Sequence, residues 1–207
     1  ALYDALSQYK EKPLYKLLSK KRHKKVRLYA SNGSSTFSPK EIKDLAVTFK
    51  SCDISSLEKL FKDYPNQIAA VISEPERSSC SSCSSSNCEL SPGKFLLKAI
   101  ELAKLNGSIF ILDEMITGFR WHMKGAQYLY GIEPDLCTFG KAMANGFSVS
   151  ALVGKEEFMK LAGINHDEER VFLLSTTHGA EMNGLSAFIK TIKYLKKNKV
   201  IQKNWNY

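Results

Sequence analysis

Residues 108–114 read SIFILDE, four apolar side chains in a row followed at once by two carboxylates. A short continuous apolar run that stops abruptly is how a strand buried on both faces of a parallel sheet reads. The segments around it repeat the pattern. Upstream, Pro92 to Asn106 predicts a helix with Phe95, Leu96, Ala99, Ile100, Ala103 and Leu105 on its apolar side, and Gly107 as its stop. Before that, Gln67 to Ser73 (QIAAVIS) is another apolar run, ending at Glu74-Pro75, and Ile54 to Tyr64 predicts a helix with Asp53 as N-cap. Downstream come short strands at Asp135–Phe139, closed by Gly140-Lys141, and at Ser150–Val153. The helix predicted over Ala180 to Lys197 carries Leu185, Phe188, Ile189, Ile192 and Leu195 on one stripe. Strand and helix alternate, which means an α/β fold with a mostly parallel sheet flanked by helices. There is no internal repeat.

Composition narrows the class further. At 207 residues, 43% hydrophobic and 25% charged, the chain has ordinary globular values and no apolar run of membrane-spanning length. Its start, ALYDALSQYKEKPLYK, lacks the apolar segment of a signal peptide and an initiator methionine, so a fragment or a processed chain is expected. The net charge of +9 is concentrated at the ends. Residues 10–27 hold nine Lys/Arg against one Glu, and residues 190–203 hold six lysines and no acid. Such runs read as solvated helix faces; no nucleic-acid-binding module accompanies them, and nucleic acid is set aside as a partner. Five cysteines cannot form a fully paired secreted framework. Cys52 and Cys137 read as small core residues. Cys80, Cys83 and Cys88 have the first spacing of a metal knuckle without a fourth ligand, and read as reduced thiols in a serine-rich loop, with no metal expected.

Three predicted strands end in reactive groups: Glu74, Asp113-Glu114 and Lys141. In open parallel sheets ligands bind beyond the carboxyl ends of the strands. A carboxylate there can instead cap a neighbouring helix, and a lysine can be a plain surface charge. As a pair they suggest a sharper chemistry. A lysine in a desolvated, positively biased site can act as an amine nucleophile and form an imine. An aspartate facing a pyridine nitrogen keeps that nitrogen protonated, so the ring draws electrons from a carbanion. Gly140 would let the backbone come close to such a ring, and Ala142, Ala144 and Gly146 keep the following turn small.

The stretch LDEMITGFR (112–120), followed by GIEPDLCTFGKAMANGFSVSALVGKEEFM (131–159), resembles the class III, subgroup II, aminotransferases that use pyridoxal 5'-phosphate (PLP). Within that class it is most similar to the glutamate-1-semialdehyde aminomutase-like enzymes. VTFKSCDISSLEKLF (47–61), IAAVISEP (68–75) and LLSTTHGAEMNGLSA (173–187) extend the resemblance to roughly residues 36–195. It implies the large domain of PLP-transferase fold type I, incomplete here, and an amino-group transfer or shift on a small amino acid or aldehyde. Lys141 matches the catalytic Schiff-base lysine, which in such enzymes also moves the proton between the substrate α-carbon and the cofactor. Asp113 matches the pyridinium partner, and Met115 falls where an apolar residue packs on the ring face. Glu74 matches a motif glutamate near the site. Thr176, with Thr177 as the other register, matches a hydroxyl that reaches the phosphate held by the neighbouring subunit, which implies a homodimer.

Two parts of the family pattern have no counterpart in the chain: the glycine/serine-rich phosphate loop with its ring-stacking aromatic, and the small C-terminal domain. The alternative is therefore a non-catalytic PLP-fold relative that serves as a binding or scaffold subunit. The expected organisation is a basic helical segment over 1–30, a large-domain core over 31–197 and a tail over 198–207, in a cytoplasmic protein.

Overall fold

The computed structural model describes the strand backbone at residues 27–28, and residues 46–75, 90–162 and 181–206. The basic segment before residue 27, the cysteine tract with Cys80, Cys83 and Cys88, and the threonines Thr176 and Thr177 lie outside the described residues.

Five strands form one sheet in the order β1-β2-β3-β4-β5: β1 (Arg27–Leu28), β2 (Ile68–Ser73), β3 (Ile109–Asp113), β4 (Leu136–Phe139) and β5 (Ala151–Gly154). The first four are parallel and β5 runs antiparallel to β4. The expected mostly parallel α/β architecture is thus what forms.

Helix α1 (Ile54–Asp63) begins where expected, because the Asp53 carboxylate accepts the Ser56 N–H at 3.1 Å and satisfies one of the first-turn donors. Its neighbour α2 (Pro92–Leu105) opens with proline at a position that needs no N–H, and ends at Asn106, beyond which Gly107 takes φ +68°. Both helices pack on one face of the sheet. Phe95, Leu96 and Ala99 from α2 and Leu57 and Phe61 from α1 meet Val71, Phe110 and Leu112 in the main core. Each fully buried Leu or Phe there contributes about 1.5–3 kcal/mol of transfer free energy.

Short helices α3 (Gly125–Tyr130), α4 (Glu156–Met159) and α6 (Val200–Trp205) are additions to the expected set. Residues 200–205, expected as tail, are therefore helical, and Arg27–Leu28, expected within the helical segment 1–30, instead pair as a strand with β2. The long helix α5 (Met182–Asn198) follows its expected course, but Ile189 is about half exposed and does not belong to the buried stripe, which runs through Gly184 and Leu195. No helix among the described residues is long and apolar enough to cross a membrane. Cys52 and Cys137 are buried, as expected of small core residues.

Candidate active site

Because β2, β3 and β4 are parallel, the residues that follow them leave from one edge of the sheet. The register aligns Ser73 with Leu112, and Asp113 with Thr138. Glu74 and Asp113 therefore project from adjacent strands, about 4.8 Å apart. Lys141 leaves the next strand two residues past its end. Three of the expected site residues share this carboxyl edge.

Asp113 is half-buried, and its two oxygens are used unequally. Oδ1 accepts the Thr138 hydroxyl at 2.8 Å and the Met115 N–H at 3.0 Å. Among the described residues Oδ2 accepts no hydrogen bond, which leaves a fixed carboxylate with one oxygen uncommitted.

Lys141 is exposed and starts a single 3-10 turn, Lys141–Met143, with φ +42°. Left-handed backbone costs a residue with a side chain roughly 1–2 kcal/mol. Asn145 (φ +46°) and Gly146 (φ +112°) continue the unusual backbone. Among the described residues the Lys141 amine has no ion pair or hydrogen bond.

Met115 is half-buried, and its thioether lies over the Cα of Gly140: a Cβ added there would come within 2.9 Å of Sδ and closer still to Cε. On the side where a side chain at 140 would project, Gly140 is covered by Met115. Glu74 is half-buried at the end of β2, with its carbonyl accepting the Ser73 hydroxyl at 3.3 Å.

The sequence did not reveal the work of Glu114. Wholly buried, it accepts the Ala126 N–H at 2.6 Å and the Thr117 hydroxyl at 3.0 Å on Oε2, and the Gln127 N–H at 3.2 Å on Oε1. It thereby caps α3 and closes the loop of residues 114–126. Gly125, at φ +77°, is the complement: a Cβ there would run into the Glu114 carboxylate. The Cys137 thiol is pushed up to about 12, by burial first and by the Glu114 charge second, so it is an inert core group. A readable signal was the pairing of Glu114 with Thr117 three residues on and a glycine at 125; neither alone distinguishes a loop lock from a surface loop.

A shallow cavity of about 360 Å³ lies behind the Lys141 turn, where α5 and α6 arrive; Phe119, Arg120, Ala142, Asn145, Leu195 and Trp205 are among its lining. None of the expected site residues lines it. Trp205 closes one side by donating its indole N–H to the Arg120 carbonyl at 2.7 Å.

Comparison with known proteins bears on this arrangement. A family model described as aminotransferase class-III matches residues 3–206. The glutamate-1-semialdehyde 2,1-aminomutase of Caldicellulosiruptor bescii is 40% identical over 148 residues, which are 70% of this chain and 32% of that protein. The 3-aminobutyryl-CoA aminotransferase of Cloacimonas acidaminovorans is 35% identical over 163 residues, 79% of this chain and 37% of the relative. The chain thus spans about a third of the length of these curated relatives. Among solved structures, an omega-transaminase from Sphaerobacter thermophilus superposes with a TM-score of 0.69 at 20% identity, covering 94% of this chain and 48% of that one. The FumI protein of Sphingopyxis sp. MTA144, solved in its PLP internal aldimine form, gives 0.68 at 22% identity, covering 95% and 46%. At such identities these two establish the shared fold.

Proposed function

Since the chain belongs to the class-III aminotransferase family, we propose that it takes part in moving an amino group on a small amino acid or aldehyde, with PLP as cofactor. The observation that carries this reading is the carboxyl edge itself. An anchored Asp113 with a spare oxygen and an unpartnered Lys141 amine on a strained turn leave the same side of adjacent parallel strands.

The donor set fits the cofactor: a carboxylate for a protonated ring nitrogen, an amine for an aldehyde carbon, and an apolar Met115 between them. When bound, PLP supplies an electron sink for the carbanion left at the substrate α-carbon. Lys141 is the residue that would hold the cofactor covalently. With the cofactor in place, the Lys141 Nζ would be the base positioned to take and return a proton at the substrate α-carbon. Asp113 Oδ2 would be the acceptor for a protonated ring nitrogen, and the bonds from Thr138 and Met115 fix the carboxylate's direction. Glu74 borders the site from β2. Thr176 would serve the phosphate of a partner subunit in a homodimer, and the reduced Cys137 thiol suits a reducing, cytoplasmic setting.

Adding PLP to the chain and following its visible absorption tests the proposal. A band distinct from that of the free cofactor should form, bleach on addition of a small amino donor, and be absent in Lys141→Ala. A spectrum that stays that of free PLP would contradict it.

A further inference from the structure

We infer that Met115 is a positioning residue that couples Asp113 to Lys141 through the backbone of Gly140, a role separate from any surface it offers to the cofactor. The inference rests on the assignment of Asp113 and Lys141 above.

Two contacts of one residue carry it. The Met115 N–H donates to Asp113 Oδ1 at 3.0 Å and so helps fix the carboxylate. The Met115 thioether occupies the space where Gly140 would carry a side chain, with Sδ 2.9 Å from that Cβ position. Gly140 has φ −174°, extended backbone open to any residue, so what demands glycine here is the space Met115 fills. The very next residue is Lys141 at φ +42°. A neighbour seated on Gly140 blocks the sideways shift by which the turn could relax toward ordinary angles, because packed contacts resist displacement steeply. Asp113 and Lys141 are thus referenced to each other through one residue, its backbone N–H on Asp113 and its thioether on Gly140, rather than set independently by their strands.

The space argument also makes the pair of positions interdependent. An alanine at 140 must displace the thioether, and an alanine at 115 opens room for a methyl group at 140. Positions in direct contact show non-additive effects of this kind.

The test is a cycle of Met115→Ala, Gly140→Ala and the double variant in the full chain, with Met115→Leu as the conservative control. The first readout needs no cofactor: the ¹³Cα and ¹³Cβ shifts of Lys141 in lysine-labelled protein, which report its backbone angles. The second is PLP affinity. Each single alanine variant should move the Lys141 shifts toward ordinary helical or extended values. Each should also weaken PLP binding on the order of ten- to a hundredfold, as loss of supporting contacts does elsewhere. The double variant should return both readouts most of the way to wild type, and Met115→Leu should stay close to it. Lys141 shifts unmoved by the single substitutions, or single-variant effects that simply add in the double variant, would overturn the inference. Failure of the wild-type chain to bind PLP would instead sink the functional reading, and the shift cycle would still decide the coupling.

Discussion

At the amino edge of the sheet, polar side chains tie strand to strand. Ser108 donates its hydroxyl to the Ile68 carbonyl at 2.6 Å, while Asp135 accepts the Phe110 N–H at 2.8 Å and the Lys155 ammonium at 2.6 Å. At the carboxyl edge, Asp113 keeps one oxygen unused and the Lys141 amine meets no partner among the described residues. Both edges carry a lysine and an aspartate from β3, β4, β5 or their flanks, yet only the amino-edge pair is joined. On the proposed function, the contrast separates groups that hold the sheet together from groups left for the cofactor.

The largest effect expected from breaking that contrast lies at Lys141. Lys141→Gly should lower amino-group transfer by about 10²–10⁴-fold or more, the range typical of a lost acid-base residue. It should also stabilise the chain by about 1 kcal/mol, because glycine adopts left-handed backbone without the Cβ penalty. Steady-state rates with PLP, set beside denaturant midpoints, would show the two readouts moving in opposite directions.

Glu114 is the exception at the carboxyl edge, a carboxylate spent wholly on structure. Glu114→Ala strands the Ala126 and Gln127 N–H groups and the Thr117 hydroxyl. It should cost about 3 kcal/mol or more, and Glu114→Gln should recover part of that because its amide oxygen still accepts. A thermal or urea midpoint measures both.

At the amino edge, Asp135→Ala leaves the Phe110 N–H without its side-chain acceptor and should cost about 1–3 kcal/mol. PLP affinity should hold within twofold or so, since the site lies at the other end of the strands; each tenfold loss would signal about 1.4 kcal/mol of unexpected coupling. The partly exposed Lys155 adds little to that loss.

The smallest effect is alkaline. The Asp135 hydrogen bond raises the Lys155 ammonium above its ordinary range, and burial raises the Cys137 thiol to about 12. The folded chain therefore holds both protons where the unfolded chain has begun to release them. Stability should decline from about pH 9 upward, the Cys137 part first and the Lys155 part above its ordinary pKa near 10.5. Cys137→Ala should remove the earlier part of that decline in a pH series of unfolding midpoints.

Much of the sheet was legible because buried parallel strands are nearly all apolar. IAAVIS and SIFIL could hardly be anything else, and each expected strand formed within a residue or so of its bounds. The shared edge of Glu74, Asp113 and Lys141 followed from the strands alone. What escaped was set by short or tertiary features. Helix α3 has six residues, too few to show a period, and its cap reaches it from Glu114, 12 positions away from Ala126. Ile189 sits on an apolar stripe wider than the face that packing covers. Met115 over Gly140 depends on how two strand ends approach, which no local pattern encodes.

The central claim is that Lys141 is the amine reserved at the carboxyl edge, and chemical trapping tests it most directly. The chain, incubated with PLP, reduced with borohydride and digested, should carry the pyridoxyl group on the peptide containing Lys141. The abundant lysines of the basic ends should be unlabelled at stoichiometric cofactor. Stable label confined to any other lysine, with Lys141 unmodified, would contradict the account.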